Sequence, residues 1–134
     1  MRTVARETVF KIIFASQFNK PVDDGFKRAL YKNDGLDEKD ITYCEWILQT
    51  VEKHGDDFIR ILDEHSKLFP ESRLFPADRS ILFIALSEIL CNSDVPNAVS
   101  INEAANIAAK YSSEKSASFV SGLLAEILRE GINV

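Results

Sequence analysis

The sequence predicts an all-helical bundle. Apolar residues recur at spacings of three and four in every long segment, whereas no stretch sustains the two-residue alternation of a strand. Turn residues (Pro, Gly, Asn and Asp) gather in short clusters between those segments, as in a bundle with short connections. With 134 residues, 46% of them hydrophobic and 28% charged, the chain fits one domain that can bury its own core.

The elements follow in order. Val9, Phe10, Ile12, Ile13, Phe14 and Phe18 give a wide apolar face to a first helix over residues 3–18, stopped by Asn19-Lys20-Pro21. Asp23 or Asp24 can cap a short second helix carrying Phe26, Ala29 and Leu30, which Asn33-Asp34-Gly35 ends. Asp37 starts a third, with Ile41, Cys44, Ile47, Leu48 and Val51 in register. Gly55 is read as a break, after which Asp56 or Asp57 caps a fourth helix bearing Phe58, Ile61, Leu62 and His65. Residues 67–76, punctuated by Pro70 and Pro76, form a connector with room for a single helical turn. Residues 77–91 are the most apolar helix and belong at the centre of the domain. After the turn Asn92-Ser93-Asp94-Val95-Pro96, Ser100 followed by Glu103 has the spacing of a capping box. A last helix covers residues 114–129. The count is about seven helices in one domain, 1–134, divided into subdomains of about 1–68 and 77–134.

No apolar run approaches the roughly 18 residues of a membrane span; the longest candidate is Ile81 to Leu86. The N-terminus, MRTVARETVF, has no signal-peptide core, so cytoplasm is the expected compartment and no membrane partner is expected. Cys44 and Cys91 match no metal or redox spacing, and two reduced thiols are expected. His54 and His65 have no ligand-spaced neighbours, and no metal or cofactor is assigned. No Ser/His/Asp, Cys/His, Gly-rich phosphate loop or carboxylate pair has usable spacing, which argues against an enzyme.

The net charge of −5 speaks against nucleic-acid binding over the whole surface. Its distribution is uneven. Residues 1–32 carry seven Lys/Arg against three acids, residues 33–64 three against ten, and residues 65–134 six against eight. A basic N-terminal third on an acidic body can present a local anion-binding face; solvated helix faces are the plainer alternative.

Three segments carry a family resemblance. SDVPNAVSINEAANIAAKYSSEKSASFVSGLLAEIL resembles the NusB family pattern of SDVP, INEA with a helical continuation, an aromatic, a Ser-containing loop and FVNG. DRSILFIALSEIL resembles the central helix of that family, and VARETVFKIIFASQF its first helix. The pieces stand in the family's order and spacing along the whole chain.

The resemblance implies a non-enzymatic, all-helical protein of two small bundles. It further implies a role in bacterial transcription antitermination: binding single-stranded boxA RNA in leaders such as those of ribosomal RNA, pairing with the ribosomal protein NusE, and joining the transcription elongation complex. A homodimer stays among the candidate assemblies. The implied RNA contacts are Arg2, Arg6, Phe14, Phe119 and Ser121. Arg2 and Arg6 stand one turn apart, able to face phosphates together, and Phe10 and Phe14 continue the same i, i+4 line. Exposed rings beside arginines suit unstacked bases. Phe10 reads as core; Phe14 and Phe119 are open between core and RNA.

This chain departs from the family pattern in four places. The N-terminal arginine run is reduced to Arg2 and Arg6; FVNG is FVSG, with Ser121 replacing an amide; Phe83 stands where arginine is common; and Cys91-Asn92 replaces a basic turn. Fewer phosphate contacts imply lower and less salt-dependent RNA affinity. Two alternatives follow: an interaction module that has lost useful RNA binding, or the non-catalytic RNA-binding domain that is fused elsewhere to ribosomal RNA cytosine methyltransferases.

Overall fold

The computed structural model describes residues 2–17, 22–66, 74–91 and 94–131. Among them are six helices and no strand: α1 (Arg2–Ser16), α2 (Asp24–Asn33), α3 (Glu38–His65), α4 (Pro76–Cys91), α5 (Asn97–Tyr111) and α6 (Glu114–Arg129). The helical turn considered within residues 67–76 lies mostly outside the described residues, as do Phe18 to Pro21 and Asn92-Ser93.

Six helices rather than seven result from Gly55, which does not break α3. A mid-helix glycine costs only about 1 kcal/mol relative to alanine and, unlike proline, keeps its backbone hydrogen bond. The two apolar rows on either side of it, through Ile47 and through Phe58, Ile61 and Leu62, bury against one core and outweigh that cost. Asp57, expected as a cap, lies mid-helix between His54 at 3.6 Å and Arg60 at 3.5 Å.

The other starts have identifiable caps. Asp23 accepts from the Phe26 N–H at 2.7 Å, and Asp37 forms a reciprocal capping box with Asp40. Gly35, at φ 68°, supplies the left-handed residue after α2. Ser113 caps α6 by accepting from the Ser116 N–H at 3.0 Å. The capping box expected at Ser100 is absent, because α5 begins a turn earlier, after Pro96. Ser100 is 1% exposed inside the helix, and Glu103 turns instead toward α1.

α4 is the central helix, packed against α1, α3, α5 and α6. Leu82 and Leu86 are fully buried and Ile81 nearly so, each such side chain contributing roughly 1.5–3 kcal/mol by leaving water. A single hydrophobic cluster takes residues from all six helices. Cys44 and Cys91 are free thiols; burial pushes the Cys44 thiol up to about 12, so it packs as a small apolar group. No helix among the described residues is long and apolar enough to cross a membrane.

At the far end of α3, His65 ties α3 to the end of α6. Its Nδ1–H donates to the Ile61 carbonyl at 2.8 Å and its Nε2 meets a Glu130 carboxylate oxygen at 2.7 Å. Burial alone would pull the imidazole down, but the hydrogen bonds to Ile61 and Glu130 outweigh it and hold its pKa above the usual histidine value.

Candidate nucleic-acid interface

α1 presents three stripes. Ala5, Val9, Ile12 and Ile13 point into the core. A second stripe runs along α5: Thr3 Oγ1 donates to Glu103 at 2.8 Å, Glu7 accepts from Lys110 Nζ at 2.7 Å and Tyr111 Oη at 2.8 Å, and the Phe10 and Tyr111 ring centroids lie 4.9 Å apart. Phe14 ends this stripe, stacked on Phe10 with centroids 5.7 Å apart. The third stripe carries Arg2 and Arg6 toward α3 and α4.

The two arginines have different surroundings. Arg6 is 4% exposed. Its Nε reaches both oxygens of buried Glu88 at 3.1 and 3.0 Å, its Nη2 lies 2.9 Å from the same carboxylate, and its Nη1 lies 3.4 Å from Glu103. This fork is spent on joining α1 to α4 and α5. The expectation that Arg6 faces phosphates is therefore not met: Glu88, from the helix the sequence placed at the core, neutralises it inside. Arg2 is exposed, its guanidinium 4.1 Å from the centroid of the Tyr43 ring, with no carboxylate partner among the described residues.

Arg2 and Phe14 also fall on different faces. Each i, i+4 step overshoots a full turn by about 40°, so the three steps from 2 to 14 rotate the side chain by roughly 120°. Lys11, between them, pairs with Asp34 at 3.1 Å, whose second partner is the Thr8 hydroxyl at 2.6 Å. Of the cations on or touching α1 (Arg2, Arg6, Lys11 and Lys110), Arg2 alone has no carboxylate partner among the described residues.

Phe14, 36% exposed, and Tyr111, 38% exposed, flank buried Phe10 and make an aromatic rim on the α1–α5 seam. The rings keep part of their surface open to a ligand, so Phe14 belongs to the surface and Phe10 to the core. Lys110 stands 5.4 Å from the Tyr111 ring centroid. Glu7 is central to the rim's charge: burial pushes its carboxyl up, but the Lys110 and Tyr111 hydrogen bonds win and hold it below the ordinary value.

Phe119 is half-buried on α6 and lines a cavity of about 350 Å³ with Leu74, Phe75, Asp78 and Lys115. Phe75 is 69% exposed there. Asp78 accepts from the Ser116 hydroxyl at 3.3 Å through one oxygen, while its buried Oδ1 has no hydrogen-bond partner among the described residues. Burial outweighs that single hydrogen bond and raises its pKa. Ser121 sits two residues past Phe119, roughly 200° around the helix, so the two do not share a face. Its hydroxyl bonds back to the Ser118 carbonyl at 3.3 Å.

The structure thus brings Phe14 together with Tyr111 and Lys110, which the sequence reading did not select. Their signal was the Lys-Tyr pair closing INEAANIAAKY. Phe75, hidden in the connector, had none. Among the described residues no group of His, Cys, Asp or Glu is placed to hold a metal.

Comparison with known proteins bears on the same architecture. The sequence model of the NusB family matches residues 3–129. A transcription antitermination protein NusB of Methylacidiphilum infernorum is 34% identical, over 96% of this chain and 91% of its own length. One from Finegoldia magna is 30% identical, over 98% and 96%. In structure, NusB of T. maritima superposes with a TM-score of 0.85 at 26% identity, covering 97% of this chain and 92% of its own. A chain in the crystal structure of antitermination factors NusB and NusE in complex with dsRNA shares the fold, with a TM-score of 0.86 at 18% identity over 96% of both. A match running from the first helix to the last, with relatives at this identity along nearly their whole length, makes the chain a member of the NusB family.

Proposed function

We propose that this protein is a non-catalytic, cytoplasmic RNA-binding adaptor in transcription antitermination, taking boxA-type single-stranded RNA together with ribosomal protein NusE. The observation that carries this reading is the aromatic rim on the α1–α5 seam. Phe14 and Tyr111 expose ring surface beside Lys110, an arrangement that suits unstacked bases. The antitermination name of the relatives supports the role, and the fold neighbour solved with NusE and dsRNA supports the pairing.

In this reading Arg2 contacts phosphate, Phe14 and Phe119 offer ring surface, and Arg6 positions α1 through Glu88 without touching RNA. Ser121 makes no direct contact. The halves 1–68 and 77–134 act as one unit, joined where α4, the first helix of the second half, packs against α1 and α3.

A second reading, an interaction module with little RNA affinity, is favoured by one observation: three of the four cations on or touching α1 are neutralised by carboxylates. Fluorescence anisotropy with boxA-like RNA across a salt series, with and without NusE, separates the two. The adaptor reading expects weak binding alone and tighter binding with NusE. Absence of salt-dependent binding in both conditions would favour the module.

A further inference from the structure

At the Arg2 end of α1, an open cleft of about 610 Å³ is lined by residues including Arg2, Glu38, Lys39, Tyr43, Trp46 and Asp94. We propose that this cleft holds one nucleotide of single-stranded RNA, its base on Trp46 and its phosphate between Arg2 and Lys39. The proposal rests on the RNA-binding reading and adds to it a second anchor. Twelve residues of helix, roughly 18 Å, separate Arg2 from the aromatic rim at Phe14.

Three features point to this ligand. The first is an aromatic wall: Tyr43 and Trp46 stack with centroids 6.0 Å apart and planes at 28°. Tyr43 is 5% exposed and anchored in the core, whereas Trp46 is only half-buried and can offer ring surface. The second is charge. Arg2 and Lys39 are both exposed, and neither has a carboxylate partner among the described residues, unlike Arg6, Lys11 and Lys110. A guanidinium lying on the Tyr43 ring is held in place by its face, while its N–H donors project from the edge and stay available to a phosphate.

The third feature is the mixture. Glu38 and Asp94 share the lining with the two cations, which disfavours a bare anion, and the exposed Glu38 carboxylate provides an acceptor for the amino group of a base. The backbone at the start of α3 adds no anion site, since the Asp37–Asp40 capping box already occupies it. Aromatic wall, two cations and the Glu38 acceptor together match a nucleotide, and the volume lies within the roughly 300–1,000 Å³ of small-ligand sites.

Trp46 is the sole tryptophan, so its fluorescence reports the cleft directly. The full-length protein is titrated with a boxA-like RNA oligonucleotide, and separately with UMP and AMP, following tryptophan emission and, for the oligonucleotide, anisotropy. Saturable quenching by the oligonucleotide is expected, weakened in Arg2→Ala and Lys39→Glu. Trp46→Leu, compared for its folded fraction, should bind RNA about tenfold more weakly, the size of one lost base stack. If Trp46→Leu fails to fold, Lys39→Glu at its exposed position carries the test. RNA binding by anisotropy with unmoved Trp46 emission and full affinity in Lys39→Glu overturns the cleft while leaving the adaptor reading intact. If no RNA binds at all, the adaptor reading fails, and the mononucleotides decide the cleft: quenching by UMP or AMP supports it, and none overturns it.

Discussion

Arg2 and Arg6 stand one helical turn apart on α1, yet one belongs to the interior and the other to the surface. Around Arg6, the seam of α1, α4 and α5 is closed: a guanidinium, two carboxylates and the Thr3 hydroxyl satisfy one another at low exposure. Around Arg2 the helix end is open, with an exposed guanidinium on an aromatic ring beside a cleft. The difference teaches that residue type and spacing place a charge on a helix, but the neighbouring helix decides what the charge does. α4 brings a glutamate to Arg6 and none to Arg2.

The contrast breaks most visibly at Arg6. Arg6→Ala leaves Glu88 buried and unpaired, and should cost about 3–5 kcal/mol in urea unfolding. A double variant, Arg6→Leu with Glu88→Leu, should recover much of that loss, because two apolar side chains need no partner. If the single variant were as stable as wild type, the seam would be open to water.

Close behind comes the core beside that seam. Leu86 is fully buried on α4, and Leu86→Ala should cost about 2–5 kcal/mol. A melting midpoint that does not move would place α4 at the periphery.

On the open side the effects fall on binding more than on folding. Phe14→Ala removes ring surface from the rim and should weaken RNA binding by roughly 1–3 kcal/mol in anisotropy titrations. Because Phe14 is only 36% exposed and stacks on Phe10, some stability is lost as well, and affinity is compared for the folded fraction. Equal RNA affinity in the variant would move the stacking surface elsewhere on the seam.

The smallest effect concerns pH. The folded His65 pKa lies above its ordinary value, so its contribution is fully present below about pH 6.5 and is lost as pH rises through the raised folded value. His65→Gln should therefore flatten the stability profile from about pH 6 to 8. A wild-type profile that gains stability over that interval, with the gain removed by His65→Gln, would show that burial and not Glu130 dominates.

Much of this was legible in the sequence. The helical periods, the cap at Asp37, a cap at Asp23 or Asp24 and the central position of α4 follow from local pattern, and the family from the resemblance of three segments. At Gly55 a local breaker signal was overruled by the packing that buries Phe58, and at Ser100 a cap signal was overruled by the earlier start of α5 after Pro96. The site was less legible. The i, i+4 line from Arg2 to Phe14 is straight in sequence but rotates around the helix, and Glu88 and Tyr111 meet α1 only through the fold. Phe10 was legible as core, whereas Phe14 stayed open between core and surface until the fold left it 36% exposed.

The division of labour between the two arginines is tested most directly by measuring RNA affinity across a salt series for Arg2→Ala and Arg6→Ala, each corrected for its folded fraction. The account predicts that Arg2→Ala folds like wild type, binds more weakly and loses a slope of roughly 0.7, the share of one single-strand phosphate. The folded fraction of Arg6→Ala should keep the wild-type slope. A stable Arg6→Ala that loses that slope, with Arg2→Ala unchanged, would contradict the account.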